Sequence, residues 1–139
     1  MLQVKTYLDK SPIHGFGLFA DEDISKGTIV WRMSSLDMIL EQEEFDKLPE
    51  VAQAYICHHG DWDIVMQKIT MSFDNDKFIN HESNTPNLTY NKNQTTEANR
   101  DIKKGEEITI NYFEFDEKAM EKLFVKRNPA DQWTFGKIK

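Results

Sequence analysis

The chain has 139 residues, is 39% hydrophobic and 12% aromatic, holds one cysteine and carries a formal net charge of −7. These values fit one globular domain spanning residues 1–139, long enough to bury roughly two-thirds of its unfolded surface. They exclude a helix of the roughly 20 apolar residues that cross a bilayer, an internal disulfide and a multi-cysteine zinc site, and they disfavour direct nucleic-acid binding.

The N-terminus lacks a basic start followed by an apolar stretch, so no signal peptide is expected and the expected location is cytoplasmic, with nuclear or host-delivered residence left open. Strands are predicted over 3–8, 17–20 and 28–32. A helix is predicted over 36–48, where Leu36, Ile39 and Leu40 recur at helical spacing and Ser35 can cap the start. Pro49 then ends it or opens a second short helix through Tyr55. A strand is predicted over 64–69. The stretch from Asn75 to Asn93 is rich in Asn and reads as a loop around a short strand at 88–90. Further strands follow at 96–99 and 107–110. Asp116 can cap a C-terminal helix whose apolar face is Ala119, Met120, Leu123 and Phe124.

Two segments echo one another: Asp23-Ile24-Ser25-Lys26-Gly27 and Asp101-Ile102-Lys103-Lys104-Gly105. In each, the glycine is expected to supply a positive-φ turn feeding a strand. Two copies are too few for a repeat protein.

Three segments carry chemistry. Around Phe16, two glycines in His14-Gly15-Phe16-Gly17-Leu18-Phe19-Ala20 let backbone groups approach a ligand closely. The run Asn80-His81-Glu82-Ser83-Asn84-Thr85-Pro86-Asn87 offers many donors and acceptors in a short span. The strand Gly105-Glu106-Glu107-Ile108-Thr109-Ile110-Asn111-Tyr112 places a phenol at its tip. In this order the three segments resemble the SET-domain family of protein lysine methyltransferases, and most resemble its small bacterial and viral members. The resemblance runs from about Val4 to Asp116 and leaves 117–139 as a lid or helical segment.

The resemblance implies a mostly β, β-clip-like fold of several short sheets with a few short helices, in which the two C-terminal motifs form a pseudoknot. It implies S-adenosyl-L-methionine as cofactor, with His14, Gly15, Phe16, Gly17, Asn80 and His81 around it and Tyr112 as the catalytic residue. The expected substrate is a lysine of a basic protein or peptide, such as a histone or histone-like protein. Tyr55, Tyr90 and Ile110 are candidates for the lysine channel. The alternative is a weak or inactive SET-like module that binds a protein. Small relatives sometimes dimerise, so the resemblance leaves a homodimer possible. No membrane contact is expected. No metal is expected, because the adjacent His58-His59 pair lacks further ligands at a suitable spacing.

The sequence departs from the family in three places. The Asn-His-Ser-x-x-Pro-Asn signature is one residue longer here, with a bulge expected near Glu82. No zinc-binding cysteines follow, so Trp133 and Phe135 become candidates for closing the channel. Ile110 stands where many relatives carry an aromatic residue, which leaves the number of methyl groups open.

Overall fold

The computed structural model describes residues 1–120. The first hairpin joins β1 (Thr6–Lys10) to β2 (Phe16–Ala20), with Thr6 opposite Ala20 and Lys10 opposite Phe16. The predicted first strand started earlier. Leu2 instead makes an isolated bridge to Trp31 in β3 (Ile29–Arg32).

The expected helix over 36–48 is corrected. Met38–Leu40 forms strand β4, and only Gln42–Asp46 is helical (α1). Met38, Ile39 and Leu40 find partners in Met71, Thr70 and Ile69 of β6 (Lys68–Met71). Three apolar residues in a row serve a strand as well as a helix, and the available partner decides. The helix therefore starts at a cap on Glu41, not Ser35. Glu44 reaches back to the Glu41 backbone N–H at 2.9 Å, completing a capping box. Helix α2 (Glu50–His59) opens after Pro49 and buries Ile56 and Cys57.

The predicted strand over 64–69 is likewise corrected. The chain forms a hairpin, β5 (Asp61–Asp63) against β6, turning through residues 64–67. Asp63 makes the turn, because its Oδ1 accepts the backbone N–H groups of Val65 and Met66 at 2.9 and 2.6 Å.

The Asn-rich middle holds more structure than a loop. A 3₁₀ turn covers Asn75–Phe78, β7 covers Asn80–His81, and β8 (Leu88–Asn91) pairs with β9 (Thr95–Ala98). Strand β10 (Glu107–Ile110) then enters the first sheet, giving the order β1-β2-β10-β7. It lies antiparallel to β2 and parallel to β7. Two further sheets have the orders β3-β9-β8 and β4-β6-β5. The described residues thus form several small sheets with two short α-helices.

One buried cluster joins the first two sheets through Leu18, Val30, Leu88, Ile102, Ile108 and Ile110. Each such side chain, removed from water, contributes about 1.5–3 kcal/mol. A smaller cluster packs Phe45, Ile56, Cys57 and Ile69 beneath the third sheet.

The two echoed segments clasp one another. Ile24 and Ile102 exchange both backbone hydrogen bonds, each 2.8 Å long. Asp101 accepts the Lys26 N–H and Asp23 accepts the Lys104 N–H, both at 2.9 Å. Gly27 and Gly105 adopt φ values of +84° and +89°, the left-handed turns expected there. The motif is therefore a reciprocal lock between distant loops.

Candidate active site

The site is built around β10. Asn80 and His81 lie on β7 beside Thr109 and Ile110. The Asn80 amide donates to three acceptors: the carbonyls of His14 and Phe16, each at 3.1 Å, and Glu107 Oε1 at 2.8 Å. One side chain thus draws the 14–16 loop onto the central sheet. Glu107 completes the junction, because Ser11 Oγ donates to both its oxygens at 2.7 and 2.9 Å. Ser11 Oγ in turn accepts the Ile13 N–H at 2.9 Å.

This network explains Gly17. A Cβ added there would lie 2.3 Å from Glu107 Oε1 and 3.1 Å from the Ser11 Cβ. The glycine leaves room for the carboxylate that anchors the loop. Gly15 turns the loop at φ +50°, with open space around it. Phe16 is 59% exposed and Phe113 43% exposed, so this side presents apolar surface to solvent.

Asn87 ties the far end of the motif to the same strand. Its amide donates to the Glu107 carbonyl and its oxygen accepts the Thr109 N–H, both at 2.8 Å, and it is 1% exposed. The extra residue in the motif is taken up by a turn on Glu82, whose carboxylate accepts the Asn84 N–H at 2.7 Å. Backbone donors from Asn84, Thr85 and Ser83 hold this carboxyl below the usual glutamate range against partial burial. The pairing of β7 with β10 is preserved.

Tyr112 follows β10 in a short 3₁₀ turn, Tyr112–Glu114. Its backbone N–H donates to His81 Nδ1 at 3.1 Å and its hydroxyl donates to the Ile79 carbonyl at 2.6 Å. Burial lowers the His81 pKa, against a smaller opposing pull from Glu82, which favours the neutral imidazole that can accept this bond.

Tyr112 also lines a cleft to which the 14–16 loop does not contribute. Tyr90, Ile110, Phe115, Ile79 and Trp31 share its wall, with Asp37, Asp61, Asp63 and Asp76 along one side. The Tyr90 hydroxyl donates to Asp63 Oδ2 at 3.0 Å. Burial, followed by the adjacent Asp63 charge, pushes the Tyr90 pKa up. Burial likewise raises Asp76 to about 7, with like charge from Asp74 and Asp61 adding to it and the Ser72 hydroxyl opposing.

Across β10, the Asn80 side chain ties β7, with His81 beside it, to His14, Gly15, Phe16 and Gly17 of the first hairpin. Tyr90, Ile110 and Tyr112 meet on the cleft side. Tyr55 does not join them: it lies on α2, is 48% exposed and packs against His59 with ring centroids 4.7 Å apart. Its ring neighbour His59 lines the cleft, whereas Tyr55 itself does not. Asn87 and Glu107 lie inside the quoted motifs with no role assigned to either from the sequence, and Asp63 was not singled out. Leu123, Phe124, Trp133, Phe135 and the lid expected over 117–139 lie wholly or mostly outside the described residues. Asp116 Oδ1 does accept the Lys118 N–H at 3.0 Å, as a helix cap does. Among the described residues no group of three or more His, Cys, Asp or Glu side chains is placed to hold a metal ion. No described helix is long and apolar enough to cross a membrane.

Several small sheets, with the Asn80–Asn87 motif bound to the strand that Tyr112 follows, define a SET-type architecture. The chain belongs to the SET-domain family, whose model matches residues 15–113. No curated protein sequence matches it. Similar solved structures include a humanized mutant of the Chaetomium thermophilum polycomb repressive complex 2 bound to the inhibitor GSK343. It has a TM-score of 0.58 and 23% identity, covering 85% of this chain and 16% of that one. The same complex in an autoinhibited conformation bound to S-adenosylmethionine gives a TM-score of 0.55 and 24% identity, covering 81% and 16%. A Plasmodium falciparum protein assigned as a histone methyltransferase gives 0.52 and 21%, covering 80% and 95%. At these identities the likeness is one of fold. The chain spans only 14–16% of the polycomb chains it matches.

Proposed function

We propose that this protein transfers a methyl group from S-adenosyl-L-methionine to a lysine side chain of a basic protein or peptide. The observation that carries the reading is the position of Tyr112. It lines the acidic cleft, while its backbone is held by His81 on the side of the 14–16 loop. A residue that faces the cleft while its backbone is tied to the Asn80–His81 strand suits a reaction between two bound molecules.

The exposed apolar surface of Phe16 and Phe113 beside the open Gly15 turn fits an organic cofactor. His14, Gly15, Phe16, Gly17, Asn80 and His81 are the residues that hold it in this reading, with Asn80 fixing the loop. S-adenosyl-L-methionine, when bound, supplies an activated methyl group on a sulfonium sulfur. The cleft supplies the rest. Its carboxylates attract a cationic side chain. Lysine must lose its proton before it can attack, and a reference pKa near 10.4 makes that cost about 4 kcal/mol at about pH 7.4. The apolar walls at Ile79, Ile110 and Phe115 favour the neutral amine. The Tyr112 hydroxyl spends its proton on Ile79, which leaves the oxygen as an acceptor that can orient an amine N–H.

The alternative of an inactive module rested on the lengthened motif. The Glu82 turn absorbs that residue and leaves β7 and β10 in register, so catalysis is the reading we keep. The test is incubation of the protein with S-adenosyl-L-methionine and a set of basic proteins, followed by mass spectrometry. The expected result is a gain of whole methyl groups on lysine that is lost in Tyr112→Phe. Tight cofactor binding with no mass gain on any of them would favour the module.

A further inference from the structure

The cleft beside Tyr112 contains a group that lysine recognition alone does not use. Trp31, Thr96 and Tyr90 stand opposite one another across β3, β9 and β8, so their side chains share one face of that sheet. Trp31 is 7% and Thr96 6% exposed. The Trp31 indole N–H, the Thr96 hydroxyl and the side-chain carbonyl of Gln94 are all buried with no hydrogen-bond partner. All three residues line the cleft. Gln94 closes the β8–β9 hairpin turn at φ +63°, which fixes where its side chain leaves the chain.

Asp63 stands at the edge of this face and is 4% exposed. Its oxygens accept from the backbone of Val65 and Met66, the Tyr90 hydroxyl and, at 3.5 Å, the Gln94 amide. Every one of these donors is neutral. A buried carboxylate without a cation is an expensive arrangement, and so is each orphaned polar atom. A ligand that satisfies both has to bring positive charge, several N–H donors and one acceptor.

We propose that this face is a second recognition pocket, for an arginine of the substrate chain that flanks the target lysine. The proposal rests on the lysine-methylation reading of the cleft. The guanidinium offers five donors in a flat fork, enough for Asp63, Gln94 and Thr96 together. It stays charged when buried and stacks on aromatic faces such as Trp31 and Tyr90. A main-chain carbonyl of the same peptide gives the Trp31 N–H its acceptor. An ammonium has three donors and holds its water more tightly, so lysine fits this pocket less well. The orphaned atoms are enclosed, so their pairing accompanies small side-chain shifts as the arginine enters.

The test compares matched peptides on the whole protein. Each peptide carries one lysine, with arginine or its neutral isostere citrulline at one flanking position, scanned in turn. Affinity is read by calorimetry and methyl transfer by mass spectrometry. At one position the arginine peptide should bind at least about tenfold tighter than its citrulline twin, as expected for hydrogen bonds to a charged group. That ratio should fall toward one in Thr96→Val with Gln94→Leu, and in Trp31→Phe. Arginine-to-citrulline ratios near one at every position of the wild-type protein would overturn the proposal. So would a ratio unchanged in the variants, which would mark diffuse surface attraction. If the variants fail to fold, the wild-type scan is repeated at high salt: a preference that disappears there overturns the pocket, and one that persists supports it. Because the binding ratio does not depend on turnover, an arginine preference without methyl transfer would keep the pocket and refute the catalytic reading.

Discussion

Tyr112 donates its hydroxyl proton to a carbonyl and receives support at its backbone from His81. Its side chain therefore faces the cleft in one fixed orientation, with an acceptor oxygen. Replacing it with phenylalanine keeps the ring and removes that oxygen. Turnover should fall roughly a hundredfold, the cost of losing alignment of reacting groups, with little change in cofactor affinity. Rate measurements paired with calorimetry check this split, and equal losses in both would refute the orienting role. This tyrosine, Asn80 and His81 were legible in the sequence because a recognisable motif carries each. Glu107 was not. In the sequence it is the second of two adjacent acids at a strand start. Its meaning comes from Ser11, which is 96 positions away, and from Gly17 and Asn80, which no local pattern links to it.

At the scale of elements, β2, β7 and β10 are joined by side chains as much as by backbone. Gly17 and Glu107 share one volume, so substitutions there should not act independently. Gly17→Ala pushes the carboxylate off Asn80 and Ser11, and Glu107→Ala removes it. Each should cost about 1–3 kcal/mol by leaving buried donors unpaired. The double variant should cost clearly less than the sum, by a coupling of about 0.5–3 kcal/mol. Denaturant unfolding of the four proteins measures it, and additive losses would show that the two residues do not meet. Strand positions were readable where apolar residues alternate, as in β2 and β10. The stretch 36–48 was not, because Leu36, Ile39 and Leu40 match a helical stripe while Met38, Ile39 and Leu40 pair with β6. The Ile64–Ile69 run misled for a related reason: Asp63 folds its first residues into a turn, a contact that apolar patterning does not report.

Across the whole molecule, pH should tune stability through one of the four aspartates that line the cleft. Asp76 has a carboxyl raised from its ordinary range to about 7 in the folded protein. The folded state then binds more protons than the unfolded one between those values. Its stabilising contribution is complete below the unfolded value and is lost as pH rises through about 7. Asp76→Asn removes that dependence. The variant should gain thermal stability over wild type at about pH 8 and show little gain at about pH 4, as melting curves across this range would reveal. A constant difference would mean that the carboxyl titrates normally.

The placement of β10 has a further consequence, in the order of events during folding. The first sheet is completed by its last strand in sequence: Glu107 sits opposite Phe19, and the echoed loops join Ile24 to Ile102. These contacts close most of the chain before they return any stabilisation, so the barrier is dominated by loop entropy. Refolding should be slow for so small a protein, in the range of milliseconds to seconds, as stopped-flow mixing would measure. A fragment ending at residue 104 lacks the strand that joins β2 to β7, and its circular dichroism should show no cooperative melt. During synthesis the hairpin β1–β2 therefore emerges early and waits with one edge open, exposed to wrong partners until β10 arrives.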